Sequence, residues 1–143
     1  MSHRLFCYGT LQVPEVMESV VGRRPAGKPA RLPGYSVFRM REAEYPGIVP
    51  DPEGEASGLA YEDIADVELA VLDRFEGPQY RRREVRLAEA DGRTATAWVY
   101  AIRESRRDEA TDEPWRLEDF LANGLSAFMD RFVRGRRREY RED

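Results

Sequence analysis

Apolar and polar positions change period several times along the chain, and each change marks an element. Arg4 to Tyr8 is short and mostly apolar, the pattern of a central strand. Gly9 and Thr10 end it. Val13, Val16, Met17 and Val20 fall at near-helical spacing, so Pro14 to Val21 reads as a short helix with proline in its first turn. Gly22 to Pro33, rich in Gly, Pro and Arg, reads as a connection with room for a short strand. Gly34 to Met40 alternates as a strand, with Tyr35, Val37 and Arg39 on one face. Tyr45-Pro46-Gly47 predicts a turn, Ile48-Val49 a brief apolar segment, and Pro50 to Gly54 a second turn. Ala56 to Tyr61 resembles a strand weakened by Gly58, where a bulge or a close backbone approach is expected.

Asp66 to Phe75 returns to the helical period, with Leu69, Leu72 and Phe75 as its buried stripe. Gly77-Pro78 stops it, because glycine tolerates a left-handed exit and proline cannot continue the ladder. Tyr80 to Leu87 and Thr94 to Ile102 flank Asp91-Gly92 and form the best hairpin candidate. Along the second of these, Ala95, Ala97, Val99 and Ala101 alternate with Thr94, Thr96, Trp98 and Tyr100. Arg103 to Glu113 is charged and expected to be exposed. From Trp115, the spacing of Leu117, Phe120, Leu121, Leu125, Phe128, Met129, Phe132 and Val133 predicts an amphipathic helix, interrupted near Asn123-Gly124. Strands and short helices follow without regular alternation, which favours a mixed α+β domain, with a small barrel as one form of it, over a doubly wound sheet.

Composition narrows the classes. The length fits one domain. No apolar run approaches the roughly 20 residues of a membrane span, and no secretory signal precedes the first strand. Cys7 is the single cysteine, so a disulfide framework or cysteine-based zinc cluster within one chain is excluded. A reducing cytoplasm is the default expectation. The formal net charge of −4 argues against nucleic acid as the main partner. The arginines 134, 136, 137 and 138 lack the interleaved aromatics that single-strand binding favours.

Glu76 is the foremost candidate for chemistry. It falls at the last turn of its helix or just beyond, where the negative end of the helix dipole disfavours an anion. Partial desolvation there would push the carboxyl pKa further upward, towards the range useful for proton transfer near neutral pH. A solvated surface glutamate is the plainer alternative. The Tyr8-Gly9-Thr10 turn has backbone N–H groups able to converge on an anion; a purely structural turn is its alternative. Cys7, inside a strand, fits a small buried apolar role better than a reactive thiol. His3 reads as surface, with no nucleophile elbow to support a serine–histidine set. Asp73 falls three residues before Glu76, so on a helix the two can share a face; local hydrogen bonding is the simpler role.

Tyr8-Gly9-Thr10-Leu11 after the first strand, Tyr45-Pro46-Gly47 midway, and Leu72-Asp73-Arg74-Phe75-Glu76-Gly77 followed by Tyr80-Arg81 together resemble the gamma-glutamylcyclotransferase-like family, in particular its small AIG-like branch. The resemblance covers most of Arg4 to Tyr100. It implies a small mixed β-barrel flanked by short helices, with the turn and the glutamate meeting in one cavity. Glu76 matches the family's acid/base glutamate. Tyr8, Gly9, Thr10 and Leu11 match the loop that holds the glutamyl α-carboxylate and amine, and Gln12 and Val13 continue it. Tyr80 and Tyr100 match as wall residues by spacing. The helix from Trp115 resembles extensions seen in part of the branch, giving a domain over residues 1–113 and a C-terminal helical extension over 114–143 packed on it.

The implied activity is a cofactor-independent acyl transfer: a gamma-glutamyl amine or peptide cyclises to 5-oxoproline and releases the amine. The substrate's own α-amine is the nucleophile, so folding it into an attacking shape and moving protons suffices. No metal or nucleotide is required. The implied partner is a small gamma-glutamyl molecule, with neither nucleic acid nor membrane, and the C-terminal helix is available for a homodimer contact. Two readings of other classes remain beside the enzyme: a non-catalytic small-molecule-binding or stress-response module of the same fold, and a scaffold acting through that helix.

Overall fold

The structure, a computed structural model, describes residues 2–41 and 45–130. Strand β1 (Ser2–Cys7) runs antiparallel to β3 (Pro46–Ala65), with Leu5 opposite Tyr61 and Cys7 opposite Leu59. On its other side β1 lies parallel to β5 (Thr94–Ile102) through Leu5 and Trp98. β5 pairs antiparallel with β4 (Tyr80–Glu89), and β4 meets β2 (Gly27–Met40) at Ala30 and Arg31. β2 then pairs with β3 along most of its length, which closes a ring of five strands. β6 (Ala110–Pro114) adds to β2 outside the ring. This is a small mixed β-barrel of the α+β class.

The strand period of two sorts the core. Phe6 and Tyr8 at and just past the end of β1, and Ala97, Val99 and Ala101 on β5, belong to one buried cluster with Leu32, Ile48 and Leu87, which fills the barrel. Leu5, Cys7, Tyr100 and Ile102 face the other way, into a second cluster shared with the helices. Helix α1 (Pro14–Val21) contributes Val16 and Met17 and ends at Gly22, whose φ is 89°. Helix α2 (Asp66–Glu76) contributes Leu69 and Leu72. The Ala65 N–H donates to Glu68 Oε1 at 2.9 Å, satisfying one orphan donor at the start of α2. Arg23 forks onto the same carboxylate, Nε to Oε2 at 2.6 Å and Nη2 to Oε1 at 2.7 Å, so the exit from α1 is tied to the entry of α2.

Gly58 answers the expectation of a close backbone approach: a β-carbon there would stand 2.2 Å from the Cys7 carbonyl oxygen. The expected hairpin around Asp91-Gly92 is β4–β5, with Gly92 at φ 86°. Other expectations are corrected. Gly22 to Pro33 is not mainly a connection, because β2 begins at Gly27 and runs through Pro29 and Pro33. Pro50 to Gly54 is not a turn between elements. Pro33 pairs with Glu55 and Tyr35 with Pro50, so residues 51–54 bulge out opposite Gly34 and the chain rejoins the same strand. Asp51 holds this bulge by accepting from Ser36 Oγ at 2.7 Å and from the Glu53 N–H at 3.2 Å. The stretch from Arg103 is exposed at first, then becomes β6.

The C-terminal arm is helical and interrupted, as its pattern predicts. α3 (Leu117–Asp119) passes into a wider π-helical turn over Phe120–Gly124 and then α4 (Leu125–Phe128). Phe120 and Phe128 are buried, with ring centroids 5.6 Å apart and planes at 80°. Burying a phenylalanine is worth about 1.5–3 kcal/mol, enough to hold so short an arm against the domain. Phe132, Val133 and the tail from Arg134 to Asp143 lie outside the described residues.

Candidate active site

One cavity collects the chemistry-bearing segments. It is bounded by the end of β1 (Phe6 and Cys7), the turn from Tyr8 to Leu11, Tyr45 and Pro46 at the start of β3, Glu76, Tyr80 and Tyr100. The empty space between these groups is about 330 Å³, part of it open to solvent. Glu76 is the last residue of α2 and is half-buried, and Gly77 at φ 83° turns the chain away immediately after it. The helix therefore delivers the carboxyl to the cavity and stops.

The turn opposite is shaped by its neighbours. Its internal bonds use the N–H groups of Gln12 and Val13, which donate to the carbonyls of Gly9 and Thr10, both at 3.1 Å. Those of Gly9, Thr10 and Leu11 are not donors in these two bonds and belong to the start of the short helical segment Thr10–Gln12, where the first N–H groups have no partner within the segment. Thr10 is the buried polar side chain here, 7 % exposed.

The tyrosine hydroxyls are committed to protein acceptors. Tyr8 donates to the carbonyl of Tyr100, and Tyr80 to the carbonyl of Pro46. Tyr100 donates to Asp73 Oδ1 at 2.7 Å. Arg82 grips the same aspartate through Nε at 2.9 Å and lies over the Trp98 ring, 4.4 Å from its centroid. Asp73 thus anchors a cavity wall; its bonds reach distant strands rather than its own helix.

Burial pushes all these phenols well above the usual tyrosine range, and the Glu76 carboxylate raises Tyr8, Tyr80 and Tyr100 further. Burial and then Glu76 likewise push the Cys7 thiol up, which keeps it protonated and inert. Glu76 is therefore a charge felt by Tyr8, Tyr80, Tyr100 and Cys7 alike, and burial with that charge keeps the four neutral.

Of the residues singled out from the sequence, Glu76, Tyr8, Gly9, Thr10, Leu11, Tyr80 and Tyr100 line this one cavity. Gln12 and Val13 do not. Gln12 folds its side-chain Nε2 back onto the Gly9 carbonyl at 3.2 Å, and Val13 is buried against the helices. Tyr45 and Pro46, marked in the sequence as part of a motif but given no role, line the site, and Asp73, weighed only as a neighbour of Glu76, joins it with Arg82 through Tyr100. Tyr45-Pro46-Gly47 carried a turn signal, whereas nothing local marks Asp73 as a partner of Tyr100. Among the described residues, no group of three or more His, Cys, Asp and Glu side chains is placed to hold a metal ion. Nor is any helix among them long and apolar enough to cross a membrane.

A family profile described as gamma-glutamyl cyclotransferase, AIG2-like, matches residues 5–120. The chain belongs to the AIG2-like gamma-glutamyl cyclotransferase family. Relatives from Arabidopsis thaliana include AIG2-like protein C, 30 % identical over 95 % of this chain and 81 % of that protein. Protein AIG2 B is 33 % identical over 91 % of this chain and 77 % of its own. An Arabidopsis thaliana solution structure superposes with a TM-score of 0.71 at 29 % identity, covering 92 % of this chain and 88 % of the other. A structure titled gamma-glutamyl cyclotransferase gives 0.65 at 20 % identity over 72 % and 68 %, which establishes a common fold. The matched span of this AIG2-like member contains every residue of the cavity and reaches Phe120 in the C-terminal arm.

Proposed function

We propose that the chain is a gamma-glutamyl cyclotransferase that converts a gamma-glutamyl amine or peptide into 5-oxoproline and the free amine. The observation that carries this reading is that Glu76 and the Tyr8–Leu11 turn border one cavity. Family membership supports an enzyme of this general kind. The N–H groups of Gly9, Thr10 and Leu11 receive the α-carboxylate of the substrate. That grip bends the glutamyl chain so that its α-nitrogen reaches its own γ-carbonyl, making the attack intramolecular.

Glu76, ionised, takes a proton from the α-ammonium, and the freed amine adds to the γ-carbon. The carbon–nitrogen bond to the leaving group then breaks as Glu76 returns the proton to the departing nitrogen. Glu76 then takes the second proton from the ring nitrogen and passes it to the released amine, so the α-nitrogen gives up two protons and the amine, as its ammonium, gains two. The hydroxyls of Tyr8, Tyr80 and Tyr100 donate to carbonyls and Asp73, so backbone N–H groups are better placed than these three to donate to the transient oxyanion.

Glu76→Gln tests the reading. The variant should keep the wild-type unfolding transition and lose at least about 100-fold in 5-oxoproline formation. Turnover at the wild-type rate would remove Glu76 from the mechanism. A binding module of the same fold would accept gamma-glutamyl amines by calorimetry and form no 5-oxoproline.

A further inference from the structure

A second cavity, with about 500 Å³ of empty space, lies on the far side of Glu76. The two share Thr10, Tyr45, Glu76 and Tyr80 as lining residues, so they adjoin at the carboxyl that borders both. From these walls we infer that the second cavity receives the leaving amine and selects neutral, apolar substituents on it. The inference rests on the cyclotransferase reading above. A proton shuttle must reach both nitrogens, about 2.6–3.2 Å from each at its turn. With the glutamyl half held at the turn, the scissile bond falls beside Glu76 and the amine substituent projects beyond it.

The walls there are Phe75, Pro78 and Phe128, with the two phenylalanine rings 6.1 Å apart at 73°. Gly77 leaves room for the substituent: among the described residues, a β-carbon on it would meet only Gln79 Oε1, at 3.9 Å. Gln79 in this wall is uncharged, and its Nε2 donates to the Tyr45 hydroxyl at 2.8 Å. Among the described residues, Glu76 is the only charged side chain lining this space. Among the described residues a carboxylate on the substituent meets no cation, and an ammonium several carbons from the reacting nitrogen lies beyond the reach of Glu76. Either would lose hydration with no partner of opposite charge in reach among the described residues, while an aromatic or branched aliphatic group gains edge-to-face and dispersion contact with the two rings.

The experiment compares kcat/KM for three synthetic conjugates on the wild-type chain: gamma-glutamyl-benzylamine, gamma-glutamyl-cadaverine and gamma-glutamyl-5-aminopentanoate, read as 5-oxoproline released. The benzylamine conjugate should lead by about tenfold or more. Gln79→Glu places a carboxylate in the wall and replaces the amide that donates to the Tyr45 hydroxyl with an acceptor for it, and should shift the ranking towards cadaverine by about tenfold. Equal or better turnover of either charged conjugate by the wild type, or a ranking unmoved by Gln79→Glu, overturns the inference and leaves the cyclotransferase reading standing. Absence of 5-oxoproline from all three overturns that reading and this inference with it.

Discussion

Gly9 and Pro46 are pressed together: a β-carbon on Gly9 would stand 2.6 Å from Pro46 Cγ and 2.9 Å from its Cδ. The proline ring is a wall of the cavity, and its carbonyl is held by Tyr80. The bend after β1 reaches its position only because residue 9 has no side chain. Gly9→Ala should therefore destabilise the fold by about 1–3 kcal/mol in urea unfolding, as overpacking does. Combined with Pro46→Ala it should cost less than the sum of the single changes, because the obstacle is gone. Strictly additive costs would show that the ring is not what the glycine avoids.

Asp73 acts on the cavity through Tyr100. It is half-exposed and shared with Arg82, so its loss should change stability by less than about 1 kcal/mol. Asp73→Ala should nevertheless lower kcat/KM about tenfold, since Tyr100 loses the acceptor that fixes its ring. Asp73→Asn keeps an acceptor oxygen and should recover most of that loss. An alanine variant as active as the wild type would free Tyr100 from this role.

The Arg23–Glu68 fork sets an acid limit. Hydrogen bonds from Arg23, with a further one from the Ala65 N–H, hold the Glu68 carboxyl below its ordinary pKa. A carboxyl lowered in the folded state contributes stability that is full above its unfolded value of about 4.3 and lost as pH falls through the folded value. Glu68→Gln should flatten the stability profile between about pH 5 and pH 3 and lower its neutral plateau. An unchanged acid limb in thermal unfolding from pH 7 to pH 3 would assign it to other carboxylates.

Local signals and long-range ones differ in what they reveal. Pro14, Gly22 and Gly77 mark both flanking helices within a residue or so, because caps and stops are written in adjacent positions. The barrel-facing side of β5 was legible from its alternation alone. β2 and β3 were not: prolines at 29, 33, 50 and 52 argue against strands, and the structure tolerates them by pairing the two strands around a bulge. β6 is charged and has little alternation, so its only claim to be a strand is the partner it finds in β2. Glu76, the turn and its tyrosines were recovered through the order of their motifs, not through local pattern. The Asp73–Tyr100 bond spans 27 residues, and the second cavity depends on Phe128 arriving from the C-terminal arm; no spacing rule joins such positions.

The hydroxyl of Tyr8 finds its acceptor 92 residues downstream, at the strand that also lies parallel to β1. During synthesis, therefore, the acid and its facing bend are both made before the strand that completes the wall between them. A nascent polypeptide stalled ahead of Thr94 would carry every motif of the upstream half and still lack a working interior.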